Sequence, residues 1–246
     1  MKHSPFLFAA ILSIYLTPVQ SSIGGIQEFN DYINTSISKA NIAGMCIAIV
    51  SGDSILFTQG YGYSDIQTKE PFTSETVMNI ASISKTFVGV ALMHLVEKGL
   101  IGLDDDVNTF LPFKVLNPYL PESIITPRHL MSHSSGIKDY QKVYLSSYHY
   151  GGDSPIPLGE FLEDYLSLDG THYSKKNFTK SKPGKKFIYS NIGAALAGYI
   201  VERVSGKPLN VFTREIIFKP LGMNNTCWLL SEMDRAKHSR LYESKK

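Results

Sequence analysis

The chain is organised around residues 79–99, which are Asn-Ile-Ala-Ser-Ile-Ser-Lys-Thr-Phe-Val-Gly-Val-Ala-Leu-Met-His-Leu-Val-Glu-Lys-Gly. From Phe87 onward the apolar residues recur at spacings of three and four, which predicts one face of a helix that Gly99 ends. Ser82 therefore stands where this helix opens, and Lys85 projects from the same face. Because the first backbone N–H groups of a helix are unpaired, they can stabilise an oxyanion beside Ser82.

The spacing Ser-x-x-Lys is not informative without its context. It occurs three times, at Ser36/Lys39, Ser82/Lys85 and Ser135/Lys138, about as often as 27 serines and 19 lysines in 246 residues produce by chance. Only Ser82 opens a long apolar helix, where a partly desolvated lysine could accept its proton. The residues alone leave a second interpretation open, in which Ser82 only caps the helix and Lys85 is solvated.

The residues before this helix predict a second helix followed by a hairpin. Residues 45–50 and 55–57 are two apolar runs of strand type on either side of a turn at residues 51–54. Residues 61–71 are rich in glycine and polar residues and are predicted to be a loop. The preceding helix is predicted from an apolar stripe that Gly44 ends, formed by Ile26, Phe29, Ile33 and Ile37.

The rest of the chain is predicted to be mainly helical. Thr126-Pro127 is an N-cap followed by a first-turn proline, which opens a short helix to about His133. Further helical patterns cover residues 158–168, 191–204 and 208–218, the second of them closed by Ser205-Gly206. The sequence therefore predicts an α+β protein.

Composition excludes several classes of protein. The 246 residues are 43% hydrophobic and 19% charged, which is typical of a globular chain. A net charge of +2 argues against a nucleic-acid-binding polycation. The two cysteines make no disulfide framework, and Cys46 lies in an apolar run that predicts a core thiol.

The first residues are predicted to be a targeting segment. An apolar stretch from Phe6 to Val19 is followed by small residues suited to cleavage near Ser21. We therefore expect a signal peptide at residues 1–21, a mature domain at 22–246, and a secreted or periplasmic protein. An uncleaved membrane anchor is the alternative.

A second chemical candidate lies at Tyr189-Ser190-Asn191, between the Pro183-Gly184 turn and a predicted helix. A phenol at this point could relay a proton, and an amide could bind a substrate carbonyl. The residues equally allow Tyr189 to be a packing residue and Asn191 a helix cap.

Four blocks in this order resemble the serine β-lactamase-like family, in particular class C β-lactamases and related esterases and D-Ala-D-Ala peptidases. They are Ser82-Ile-Ser-Lys85-Thr-Phe, His133-Ser-Ser-Gly136, Pro183-Gly-Lys-Lys-Phe-Ile-Tyr189-Ser-Asn191 and Phe218-Lys-Pro-Leu-Gly-Met223. The resemblance implies a β-lactamase/transpeptidase-like fold, with a helical region packed on an antiparallel sheet region.

The resemblance also implies roles for residues. Ser82 would be the acylated nucleophile, Lys85 its proton partner, Tyr189 the general base and acid, and Asn191 a substrate-binding residue. The implied protein is an exported serine hydrolase acting on β-lactam, ester or D-amino-acid peptide substrates, without a cofactor or metal. It would bind no nucleic acid, and an association with the cell envelope is open.

One family element is not found. The third motif, Lys/His-Thr/Ser-Gly on a strand beside the nucleophile, does not occur in the sequence, and few strands are predicted after Asn191. We therefore expect an incomplete sheet and weak catalysis, from a chain that is a truncated product, part of a longer coding sequence, or completed by another polypeptide. The alternative function is a non-catalytic remnant or a binding protein of the same fold.

Two further patterns have simple interpretations. His129 and His133 have the spacing of a zinc pair but lack the glutamate of His-Glu-x-x-His, so packing explains them better. Residues 175–186 hold six lysines, which form either a solvated loop or a patch for an anionic surface.

Overall fold

The computed structural model describes residues 24–243, so the predicted signal peptide at residues 1–21 lies outside the described residues. Two compact units are present: residues up to Thr76 together with those from Ser239 onward, and residues Val77–His238. The first unit contains α1 (Gly24–Lys39), β1 (Gly44–Ser51), β2 (Ser54–Asp65) and β3 (Glu70–Pro71). The second contains α2 (Ser84–Glu97), α3 (Pro127–Met131), α4 (Gln141–Ser146), α5 (Leu158–Leu166), α6 (Asn191–Ser205) and α7 (Leu209–Thr213).

In the first unit, α1 packs its apolar face on the hairpin. Ile33 and Ile37 are buried against Tyr61, and the ring of Phe29 meets Phe57 edge to face at 5.7 Å. Ile26 is 60% exposed, because the apolar cluster on the hairpin involves only the later turns of the helix. The predicted stripe is therefore correct in period but only partly buried.

The strands are longer than the sequence suggested. Residues 61–71 were expected to be a loop, and this expectation is wrong, because β2 continues to Asp65 and pairs with β3. The glycines here permit close backbone approach: a Cβ on Gly60 would lie 2.0 Å from the carbonyl oxygen of Phe72. Gly62 has φ of +71°, a conformation that costs glycine little. These glycines therefore mark a crowded, irregular strand, not a loop.

The antiparallel sheet has the order β1-β2-β3. Within residues 24–243, β1 pairs with β2 alone, and Val50, Ile55 and Leu56 are 65–69% exposed. Cys46 is also exposed, so its expected place in a core is wrong: no described element covers that side of the strand. The α+β composition and the incomplete sheet expected from the sequence are confirmed.

The core of the second unit is built around α2 and α6. Leu92 on α2 and Leu196 and Ile200 on α6 have no exposed surface. Gly198 lets α6 approach its neighbours, since a Cβ there would lie 3.2 Å from Leu209. The helix ends at Gly206, where the sequence predicts its end, and this glycine has the left-handed conformation common at helix C-termini.

Other helix ends follow the sequence less closely. Thr126 caps α3 as predicted, and the ring of His129 accepts a hydrogen bond from its backbone N–H at 3.3 Å. The helix expected over residues 208–218 is the short α7 followed by a π-helical turn at Arg214–Phe218. Helix α4 was not predicted at all. None of the helices in the described part of the chain is long and apolar enough to cross a membrane.

Candidate active site

Ser82 lies on a strained turn directly before α2. Residues Ala81–Ile83 form a 3₁₀ turn, so the α-helix begins two residues later than the sequence suggested. Ala81 has φ of +46°, which is unfavourable for a residue with a Cβ, and its N–H donates to the side chain of Asn79 at 2.7 Å. Strain of this kind is found at functional sites, where the surroundings hold it in place. The turn leaves Ser82 exposed.

Two of the predicted site residues converge on Ser82. The Nζ of Lys85 donates to Ser82 Oγ at 3.1 Å, and the hydroxyl of Tyr189 donates to the same oxygen at 2.7 Å. Lys85 Nζ also lies 5.1 Å from the centre of the Tyr189 ring. The interpretation of Ser82 as only a helix cap is not supported, since Ile83 occupies the N-cap position of α2 and no side chain caps that helix.

The other two Ser-x-x-Lys pairs lie in different settings. Ser36 is in the middle of α1, and Ser135 is 3% exposed and accepts a hydrogen bond from the N–H of Ile137. Neither serine has a lysine or tyrosine partner among residues 24–243. Of the three serines in the Ser-x-x-Lys pattern, Ser82, which was selected because it precedes a long apolar helix, is the one with lysine and tyrosine partners among residues 24–243.

Asn191 is held by a residue that the sequence argument missed. The carboxylate of Asp139 accepts hydrogen bonds from the side chain of Asn191 at 2.7 Å and from its backbone N–H at 2.9 Å. It also accepts from the hydroxyl of Ser190 at 2.8 Å and from the N–H of Ile192 at 3.1 Å. A negative charge at the start of α6 is favourable for the helix dipole. Because a carboxylate only accepts, the Asn191 amide nitrogen must face Asp139.

Tyr165 in turn fixes the backbone around Asp139. Its hydroxyl donates to the carbonyl of Lys138 at 2.8 Å and accepts from the N–H of Tyr140 at 2.6 Å. The side chain has no exposed surface, and burial raises the pKa of Tyr165 to about 12, so the phenol stays neutral. In the sequence, Asp139 lies three residues after Gly136 of the second block. No local pattern connects it with Asn191, so its role could not be predicted.

His133 supports Tyr189 from a second strained backbone position, with φ of +52°. Its ring centre lies 4.4 Å from that of Tyr189, and its Nδ1 accepts from the N–H of Ser190 at 3.3 Å. Burial lowers the pKa of His133 below its usual 6.5, and the nearby charge of Lys85 lowers it further, against an opposing effect of Asp139. A neutral imidazole is what the Ser190 N–H requires. His133 therefore packs and positions, as expected against the zinc interpretation.

Comparison with known proteins places this geometry in a family. The Beta-lactamase family model matches residues 26–246, so the chain belongs to that family, and the resemblance found in the sequence is confirmed. Penicillin-binding protein 4* of Bacillus subtilis strain 168 is 30% identical over 188 residues, which are 76% of this chain and 38% of that protein. The chain therefore spans about two fifths of the length of this relative.

Solved structures agree on the fold. The octameric penicillin-binding protein homologue from Pyrococcus abyssi matches 87% of this chain and 47% of its own, with a TM-score of 0.71 and 30% identity. EstCE1, described as a hydrolase with promiscuous acyltransferase activity, shares the fold at a TM-score of 0.75 and 22% identity, over 91% of this chain and 58% of its own. The β-lactamase/transpeptidase-like fold is thus established for this chain.

We predict that Asp139→Asn slows acylation of Ser82 while the protein remains folded. An amide offers one acceptor oxygen and an NH₂ group, so at least one of the four donors now faces another donor. Losing charge-assisted hydrogen bonds of this kind costs about 1.5–3 kcal/mol, or roughly 10- to 150-fold in rate. The measurement is the second-order rate of labelling by a fluorophosphonate.

The matched control for this prediction is Asp153→Asn. Asp153 also accepts two backbone N–H groups, those of Leu230 and Ser231. This substitution should lower the melting temperature without changing the labelling rate of the folded protein. Equal labelling of Asp139→Asn and the unmodified chain would show that Asp139 does not position the site.

A second prediction concerns pH. The unfolded chain protonates His133 near pH 6.5, before the folded protein does, so unfolding takes up a proton and stability falls as pH drops below that value. His133→Gln should flatten this decline below about pH 6.5, measured as the denaturant midpoint. His129, whose pKa burial also lowers, contributes with the same sign, so His129→Gln is the control that keeps the His133 contribution. An unchanged slope in His133→Gln would refute the assignment.

Proposed function

We propose that this chain is a serine hydrolase that forms an acyl-enzyme at Ser82. The observation that carries the proposal is the meeting of Lys85 Nζ and the Tyr189 hydroxyl at Ser82 Oγ, at 3.1 and 2.7 Å. A nucleophile within hydrogen-bond reach of two proton-handling groups is the arrangement that acyl transfer needs. Membership in the Beta-lactamase family supports the same chemistry.

The proposed reaction has two halves. Ser82 Oγ attacks the acyl carbon and its proton passes to the Lys85–Tyr189 pair, after which the bond to the leaving group breaks and that group takes the proton. Water then attacks the acyl carbon and its proton passes to the same pair; the bond between the acyl carbon and Ser82 Oγ breaks, Oγ takes the proton, and the acid leaves. The steps balance without an oxidant, a metal or a cofactor.

Charge develops on the acyl oxygen during both steps, so backbone donors matter. No acceptor is found for the Ser82 N–H among residues 24–243, which leaves it free to donate to an oxyanion. The third motif that supplies a second donor in the family does not occur in the 246 residues. Lack of one such donor typically costs about 100- to 1,000-fold in rate. We therefore expect slow turnover of the chain by itself.

The proposed substrates are small acyl donors: β-lactams, esters or D-amino-acid peptides. Asn191 would contribute a polar contact to them from the start of α6. We further propose that residues 1–21 direct export and that the protein acts outside the cytoplasm, since the substrates of this chemistry would include cell-envelope peptides.

A binding protein of the same fold is the second candidate, favoured by the missing Lys/His-Thr/Ser-Gly triplet. The two proposals differ in one observable, because a binding protein holds its ligand without a covalent bond to Ser82. Acyl-enzyme formation therefore decides between them.

Covalent labelling tests the nucleophile directly. We predict that a fluorophosphonate or a β-lactam probe modifies Ser82, as mapped by peptide mass spectrometry, and that Ser82→Ala abolishes the adduct. Ser36→Ala and Ser135→Ala are the matched controls, since both residues belong to the same Ser-x-x-Lys pattern, and both variants should label normally. Labelling at either of these serines with Ser82 unmodified contradicts the proposal.

A double-mutant cycle tests whether Lys85 and Tyr189 share one step. Lys85→Ala and Tyr189→Phe should each remove most of the labelling rate, and the combined change should remove little more, because residues that act as a unit are non-additive. The readout is the same second-order labelling rate. Single effects that multiply in the double variant would mean that the two residues act in separate steps.

A further inference from the structure

Residues 175–186, the lysine segment, carry an unusual local charge. Six of the 19 lysines of the chain fall within these twelve residues, and no aspartate or glutamate occurs from Thr171 to Val201. All six are exposed: Lys175, Lys176, Lys180, Lys182, Lys185 and Lys186. The segment is therefore a concentrated positive surface on a chain whose net charge is only +2.

The backbone of the lysine segment is held in place by buried residues between the lysines. Asn177 has no exposed surface, and its amide donates to the carbonyls of Tyr165 and His172 at 2.9 and 2.8 Å. Phe178 is 2% exposed, and the carbonyl of Asn177 accepts from the N–H of Lys138 at 2.7 Å. The lysines are thus presented outward from a fixed frame.

The ammonium groups of the lysine segment have no carboxylate partners. Among residues 24–243, none of the six forms an ion pair, whereas Lys207 elsewhere in the same unit pairs with Glu215 at 2.5 Å. Two nearby carboxylates are engaged elsewhere: Asp139 at the start of α6, and Asp164 with Thr171 and His172. The positive charge is therefore available to an external anion.

Two tyrosine rings order three of these lysines. Lys175 and Lys180 lie 6.0 and 5.5 Å from the centre of the Tyr119 ring, and Lys176 lies 4.9 Å from that of Tyr140. Because ammonium groups already lie against these rings, the rings are poorly placed to stack with nucleic-acid bases. Within residues 175–186 the one aromatic residue, Phe178, is 2% exposed, so the segment itself offers charge without a base-reading platform; Phe187, which follows it, is exposed and meets the ring of His133 edge to face at 5.8 Å.

We propose that the lysine segment binds a linear phosphate polymer that carries no bases. Each exposed lysine by itself gains little from a small anion in water. A polymer contacts several lysines at once and releases counterions from its own backbone, so the small binding free energies of the single contacts add up. Compact ammonium groups suit phosphate oxygens.

The lysine segment lies just before Tyr189 in the chain, so a polymer bound to it would lie near the candidate active site. The N–H of Ile188, between the segment and Tyr189, donates to the carbonyl of His133 at 2.6 Å. A polymer on this surface would therefore lie next to the residues around Ser82. Binding of the polymer does not require acylation of Ser82, so it can be tested independently of the proposed hydrolase function.

The test uses the full chain and fluorescently labelled linear polyphosphate, with the dissociation constant measured by anisotropy at several salt concentrations. Lys175→Gln/Lys180→Gln should weaken binding by about tenfold and reduce the slope of log Kd against log salt by about 1–2. The matched control is Lys98→Gln/Lys219→Gln, which removes the same charge from exposed positions outside the segment and should change the dissociation constant less than about twofold.

Five outcomes bear on the proposal. It is overturned if the control weakens binding as much as the segment variant, if poly-glutamate binds as tightly as polyphosphate, or if a single-stranded oligonucleotide binds more tightly than either. Ser82→Ala should bind polyphosphate normally. If the chain binds polyphosphate but is not labelled at Ser82, the result supports the phosphate-binding surface and contradicts the proposed hydrolase function.

Discussion

The carboxylate of Asp139 accepts four hydrogen bonds from three consecutive residues at the start of α6, and the rest of the site depends on this interaction. It fixes the side chain of Asn191 and the turn that carries Tyr189. An unpaired buried donor costs about 1–3 kcal/mol, so the four donors strongly favour a single arrangement of this turn. Tyr165 extends the constraint into the core by holding the backbone on both sides of Asp139.

Backbone strain accompanies the hydrogen bonds at two further positions of the site. Ala81 and His133 both have positive φ, at +46° and +52°, and each costs of order 1–3 kcal/mol. The first turns Ser82 out ahead of α2, and the second places an imidazole against Tyr189. Packing of α2 on α6 provides the rigidity that sustains this strain, since Leu92 and Leu196 are completely buried. The geometry around Ser82 is therefore a property of the helical core.

Membership in the Beta-lactamase family explains why these elements occur together, but a shared fold does not decide what a protein does. Two features of this chain bear on its action: the lysine segment lies beside Tyr189, and the Lys/His-Thr/Ser-Gly triplet does not occur in its 246 residues. The first offers affinity that does not require the chemical step. In the proposed reaction, the triplet would supply a donor that acts only in the transition state.

The sequence by itself determined most of the longer helices, the hairpin and the family blocks, whose order singled out Ser82, because apolar periodicity, turn residues and motifs are local signals. Three results required tertiary structure. Gly60 and Gly62 belong to a strand, and glycine is needed there because the neighbouring backbone lies too close for a Cβ. Tyr189 meets Ser82 across 107 positions of sequence. Asp139 reaches α6 only because the fold brings a loop to the helix start, and no local pattern encodes contacts between distant segments.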